Sequence, residues 1–331
     1  NAGTIGADLE LRLDTPADVD NSGGTLNARR IEVNADALRN RAGSIEQVGM
    51  QGLQISAATV GNVQGQIGAV ASVPEEGAGN GGGNPGDGQG MPGTGTPSPG
   101  NGDGIGNGGT PTAPIAPLAS GLLNIAGTLD NSGGLIDASG QLQLSARNSL
   151  DNSGGKLGVQ TLQVQGDVLR NVGGLLEVQG AARAHVGQLD NSGGRMSLAG
   201  SFDLQAQSLL NHGGELAHGG TGASIWTIGQ LDNSDGSIAS NAARLDLDLG
   251  ELRNARGSIS HAGNAGLQLR AGRLDGVQGL IGTTGAANLQ LGSADHRKAQ
   301  LIASQINLQA VDFDNRGGQL IASGQQASRI D

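Results

Sequence analysis

The chain has 331 residues, of which 62 are glycine, two are phenylalanine, one is tryptophan and none is tyrosine or cysteine. The missing thiols exclude disulfides and thiolate metal sites. Aromatic side chains normally bury roughly 150–250 Å² each, so a core without them must be long, thin and aliphatic. The net charge is −11, and the 19 Lys and Arg form no cluster. That distribution argues against nucleic acid, which needs a basic patch, and against anionic membranes. No apolar run nears the roughly 20 residues of a membrane helix, so membrane insertion is not expected.

Residues 1–73 open on a repeat-like phrase, Asn1-Ala2-Gly3-Thr4-Ile5, and then carry a pattern anchored on Asn21, Asn40 and Asn62. Two residues before each anchor is apolar (Val19, Leu38, Val60), three after is Gly (Gly24, Gly43, Gly65), and five after is apolar again (Leu26, Ile45, Ile67). Residues 74–117 break the pattern with eight of the nine prolines, sixteen glycines and no Lys or Arg. Such a stretch buries too little apolar surface to offset its ordering entropy. It is expected to be a mobile loop thrown out from one corner.

From 118 to 331 the pattern resumes at Asn131, Asn152, Asn171, Asn191, Asn211, Asn233, Asn254 and Asn315. Gly276 takes the anchor place once, and a degraded anchor is expected near Arg297. Most anchors stand 19 to 22 residues apart, and a fixed period of this kind means a solenoid. Stretches such as Leu245-Asp246-Leu247-Asp248-Leu249 alternate apolar and polar residues, the period of a half-buried strand. The predicted fold is therefore all-β: a parallel β-helix with one repeat per coil, rungs about 4.8 Å apart. In it the Asn side chains hydrogen-bond in a ladder down one corner. The Gly three residues after each Asn is expected at a positive φ, which glycine alone adopts cheaply. The final Ile330-Asp331 follows a repeat directly, so the chain reads as a piece of a longer protein.

Enzymatic chemistry finds little support. Asp246 and Asp248, and likewise Asp312 and Asp314, alternate on strands and are expected to share a solvent face. A glycosidase needs two carboxylates roughly 5–10 Å apart in a cleft, and a flat solenoid face offers none. His185, His212, His218, His261 and His296 show no metal-ligand spacing. Asn101-Gly102-Asp103-Gly104 lacks the full calcium-loop pattern, and no glycine run opens a helix as a phosphate loop does. No metal or cofactor is expected. In Ser224-Ile225-Trp226-Thr227-Ile228 the strand phase is open. With Ile225 inward, Trp226 stands exposed as a candidate contact residue; with the opposite phase it joins the core.

Leu129-Asp130-Asn131-Ser132-Gly133-Gly134-Leu135-Ile136 and Leu189-Asp190-Asn191-Ser192-Gly193-Gly194 resemble the haemagglutinin repeats of filamentous haemagglutinins and of contact-dependent growth inhibition exoproteins. Both are TpsA-type proteins of two-partner secretion. The resemblance covers the chain outside 74–117. It implies a right-handed β-helical filament, non-enzymatic, secreted through a partner outer-membrane transporter and displayed on the bacterial surface. The expected role is a structural shaft holding distal binding or toxin modules away from the cell. The alternative is a module that itself binds a receptor or glycan on a host or neighbouring bacterium, through the 74–117 loop and exposed strand faces.

Overall fold

The computed structural model describes residues 1–48, 52–70, 120–138 and 141–331. The expected 74–117 loop, with Asn101-Gly102-Asp103-Gly104, lies outside the described residues. The fold is all-β, a right-handed parallel β-helix of about 13 turns with about 21 residues per turn.

One coil shows how the sequence makes a turn of the solenoid. The anchor Asn171 starts a tight corner, closed by Gly174 N donating to the Asn171 carbonyl at 3.1 Å. A four-residue strand, Leu175–Val178, follows. A second corner leads into the longer strand Ala182–Asp190. That strand bends at Gly187, where its inward phase slips: Ala182, Ala184 and Val186 are buried, then Leu189. The bend is a third corner, and a glycine stands there in successive later coils at Gly229, Gly250, Gly272 and Gly292. A Cβ on any of these would lie within 3.0 Å of the carbonyl one coil earlier.

Each strand pairs in parallel with its counterpart one coil on. Leu175–Val178 lies in register with Arg195–Leu198, and Ala182–Asp190 with Phe202–Leu210. The coil ending at Gly61 stacks directly on strands far along the chain. Leu53 pairs with Gly121, Val60 with Leu129, and Ile67 with Ile136. The solenoid thus continues across 71–119 with no missing rung.

The core is the set of apolar columns predicted from the anchor. Two residues before it, Leu38, Val60, Leu129, Leu150, Leu169 and Leu189 are buried; five after it, Ile45, Ile67, Ile136, Leu157, Leu176 and Met196 are too. Stacking like on like lets narrow aliphatic side chains fill these columns.

Candidate functional site

The anchor asparagines form one buried row. Every one from Asn21 to Asn254 is fully buried, and each hands its amide hydrogen to the next. Asn21 Nδ2 donates to Asn40 Oδ1 at 2.8 Å, Asn40 to Asn62 at 2.7 Å, and Asn62 to Asn131 at 2.7 Å. The chain of bonds runs on through Asn152, Asn171, Asn191, Asn211 and Asn233 to Asn254. Asn1 adds a rung at the start, donating to Asn21 Oδ1 at 2.9 Å. Each Nδ2 also reaches backbone carbonyls, as Asn171 does to Gly174 O at 3.2 Å and Arg195 O at 3.0 Å. A buried amide satisfied on every side is stable where a half-satisfied one is costly.

The two glycines after the anchor have separate causes, and here the sequence-based expectation is corrected. The positive φ belongs to the second residue after Asn: Gly133 at 60°, Gly193 at 60°, Gly213 at 60°. Ala42, Gln64, Asp235, Arg256, Gln278 and Lys298 adopt it too, so this place does not demand glycine. The third residue demands it for space. A Cβ on Gly194 would collide with the Asn171 carbonyl oxygen and come within 3.0 Å of Asn191 Oδ1. The preceding coil packs too closely for any side chain.

The acidic residue before the anchor fastens the corner. Asp190 accepts from Ser192 N at 3.0 Å and Asp232 from Ser234 N at 2.9 Å. Asp151 accepts from both the backbone and the hydroxyl of Ser153, and from Arg170. These bonds outweigh the desolvation that opposes them and hold its carboxyl below the ordinary range.

The ladder breaks at Gly276, which has no side chain to offer; Asn254 Nδ2 keeps only the backbone bond that the other anchors also make, to Leu280 O at 3.1 Å. It restarts at His296, one residue before the place expected for the degraded anchor. The ring Nδ1 lies 2.7 Å from Asn315 Oδ1.

Trp226 is a core residue, so its role as an exposed contact is withdrawn. Its side chain is fully buried, while Ile225 is 54% exposed. The strand phase puts it in column with Leu204 and Leu247. Its Nε1 donates to Ser224 Oγ at 3.0 Å, and its ring meets Phe202 edge-on at 5.4 Å. The buried indole N–H thereby finds the acceptor it needs.

Two of the four candidate carboxylates, Asp246 and Asp314, are held in ion pairs. Asp246 is not on the open face expected for it: it is buried, and Arg244 holds it in an ion pair at 2.5 Å. Asp314 is gripped by the Arg316 side chain and backbone, which lower its pKa to about 2. A carboxyl ionised at all physiological pH values cannot serve as a general acid. Among the described residues no group of three His, Asp or Glu is placed to hold a metal. Among the described residues there is no helix long and apolar enough to cross a membrane.

His218 and His261 are buried, with both ring nitrogens occupied. His218 Nδ1 faces Ser240 Oγ at 3.1 Å and Nε2 faces Gly200 O at 3.1 Å. His261 repeats the arrangement with Thr283 Oγ1 at 2.9 Å and Ala242 O at 2.7 Å. Burial pushes both rings below the ordinary histidine pKa, against the smaller opposing effect of the carbonyl bond.

The haemagglutinin repeat model matches residues 2–73, 105–204 and 172–235. No curated protein and no solved structure matches the chain. Beyond residue 235 the same corner continues, with Asn254 buried and Gly257 pressed on the Asn233 carbonyl. With the repeat matched over more than half of the chain, the protein belongs to the haemagglutinin-repeat family.

Proposed function

We propose that this chain is a length of the shaft of a secreted, surface-displayed protein, an adhesin or a contact-dependent growth inhibition exoprotein of two-partner secretion. In this reading a partner outer-membrane transporter exports it, and its work is reach. The observation that carries the reading is the run of amide-to-amide bonds from Asn1 to Asn254, laid beside parallel strands that pair coil on coil. Bonds repeated along one direction resist bending. Nearest-neighbour stacking also lets each coil template the next as the chain emerges unfolded. The family match supports the adhesin-like class.

The experiment compares the chain with a variant lacking residues 74–117 for binding to candidate target cells. A passive shaft gives equal background for both. Saturable binding that disappears with the deletion sinks the shaft reading and makes the segment a receptor contact. Saturable binding by both proteins also overturns it, assigning recognition to the solenoid faces.

A further inference from the structure

Three coils are 22 residues long from anchor to anchor: those beginning at Asn40, Asn211 and Asn254. They share a feature. Seven residues after the anchor, five other coils bury an aliphatic side chain (Ala28, Val159, Val178, Leu198 and Ala303), and the coils that follow the two histidine coils bury Ser240 and Thr283. The three long coils bury Gln47, His218 and His261 there.

The difference lies at the second corner. In the 20-residue coil that begins at Asn171, a backbone N–H meets the corner carbonyl of the coil before; Gly180 N donates to Gln160 O at 2.7 Å. At the longer coils a side chain makes the bond. His218 Nε2 takes Gly200 O, His261 Nε2 takes Ala242 O, and Gln47 Nε2 donates to Arg29 O at 2.7 Å. Gly220 and Gly263 complete the fit. A Cβ on either would strike the same carbonyl and lie within 3.0 Å of the histidine Nε2.

The other ring nitrogen ties each histidine forward. Ser240 Oγ accepts from Ala242 N at 3.2 Å, and Thr283 Oγ1 from Gly285 N at 3.2 Å. Each hydroxyl proton is therefore free for Nδ1, and the ring hydrogen sits on Nε2; the tautomer is assigned from this network. A second ring proton would leave the hydroxyl hydrogen with no acceptor. It would also bury a charge, in the case of His218 beside Phe202 and Trp226, whose ring centres lie 6.3 and 6.5 Å away. No carboxylate is placed to compensate. The strands on either side of His218 bring only Arg195, paired with Glu215 of its own strand. The adjoining long strands begin with Asp203, paired with Arg183, and with Arg244, paired with Asp246. Strands Ser237–Ser240, Ser258–His261 and Leu280–Thr283 carry no ionisable group besides His261 itself, and the second corners that follow them, 241–243, 262–266 and 284–285, carry none; the first corners before them carry Asp235 and Arg256, which pair with each other.

We propose that His218 and His261 are acid-labile splints. At neutral pH they fasten the two long coils to their neighbours, and protonation releases the stretch from about residue 200 to 285, making a pH-sensitive joint in the solenoid. The long coil at Asn40 is splinted by Gln47, which does not titrate, and it stays closed.

The test is hydrogen exchange of the full chain at about pH 7.5 and about pH 5, corrected for intrinsic rates, with the emission of Trp226 followed in parallel. A histidine that takes its proton only when its coil opens raises the opening constant by about thirtyfold at the lower pH. Extra exchange is expected at 211–243 and 254–285, with a reversible change in Trp226 emission and none at 31–48. A His218→Gln, His261→Gln variant, which copies the Gln47 arrangement, is expected to lose the acid response. If that variant does not fold, the wild-type contrast between 31–48 and the histidine coils decides. Uniform exchange at both pH values, equal acid response in all three long coils, or an unchanged response in the glutamine variant overturns the proposal.

Discussion

Adjacent glycines in one corner are held by unlike forces, and substitution separates them. Gly193 has φ at 60° with no atom near its absent side chain. Gly193→Ala therefore meets only the left-handed backbone cost, about 1–2 kcal/mol. Gly194→Ala drives a methyl into the Asn171 carbonyl and forces two coils apart, an overpacking loss of about 3 kcal/mol. Urea unfolding of the two variants checks the order, and equal losses would mean that close packing is not what keeps Gly194. Trp226→Ala empties a filled core site and is expected to cost about 3–5 kcal/mol while leaving any surface binding intact. A binding loss without a stability loss would restore its contact role. At this scale the pattern was legible but its causes were partly hidden. A glycine at a fixed offset looks the same whether conformation or clearance requires it. The phase of Trp226 was in fact readable: it stands seven residues before Asn233, as the buried Leu204 and Leu247 do before Asn211 and Asn254. Local alternation around Ile225 and Ile228 concealed that count.

Within one coil, the break in the ladder is compensated by its neighbour. Ala299, buried, stands three residues after His296, in the place other corners reserve for glycine. In those corners a Cβ would also lie about as close as 3.0 Å to the Asn Nδ2 of the preceding coil, as Gly279 would to Asn254. Gly276 has no Nδ2, and this leaves room for the Ala299 methyl. Gly276→Asn alone is thus expected to destabilise, although it supplies the missing rung. Adding Ala299→Gly should convert the loss into a gain, with a coupling of about 0.5–3 kcal/mol. A double-mutant cycle on melting or denaturant midpoints measures it, and additive effects would show that the two positions do not share that space. His296 was legible only as a degraded anchor. Its ring takes an amide's place in the row, which a search for asparagine does not see. The polar residue of the long coils was hidden for a related reason, because only the stacked coils reveal that it meets a carbonyl of the coil before.

Acid should dismantle the whole solenoid in two stages, because its titrating groups act at different places and in different pH ranges. The corner carboxylates Asp20, Asp151, Asp235, Asp295 and Asp314 are all held below the ordinary aspartate pKa, mainly by hydrogen bonds from a neighbouring serine or arginine. A depressed carboxyl stabilises the fold above the unfolded pKa of about 4, and this contribution fades as pH falls towards the folded value, about 2 for Asp314. His218 and His261 are depressed bases, so the sign is opposite in charge but the same in direction. Both are neutral above about pH 7. As pH drops through about 6.5 the unfolded chain binds protons that the folded chain refuses, and stability is lost. The carboxylates are spread from the first corner to the last, whereas the histidines occupy two coils. A pH titration by circular dichroism is therefore expected to keep the β-structure outside the histidine coils to about pH 4 and then lose it cooperatively. Trp226 emission, beside His218, should change earlier, below about pH 6.5. Near-neighbour energetics permit this separation, since a coil interacts only with the coils beside it. If fluorescence and dichroism moved together in one transition, the solenoid would be opening as a single cooperative unit, and the histidine coils would not be a distinct joint within it.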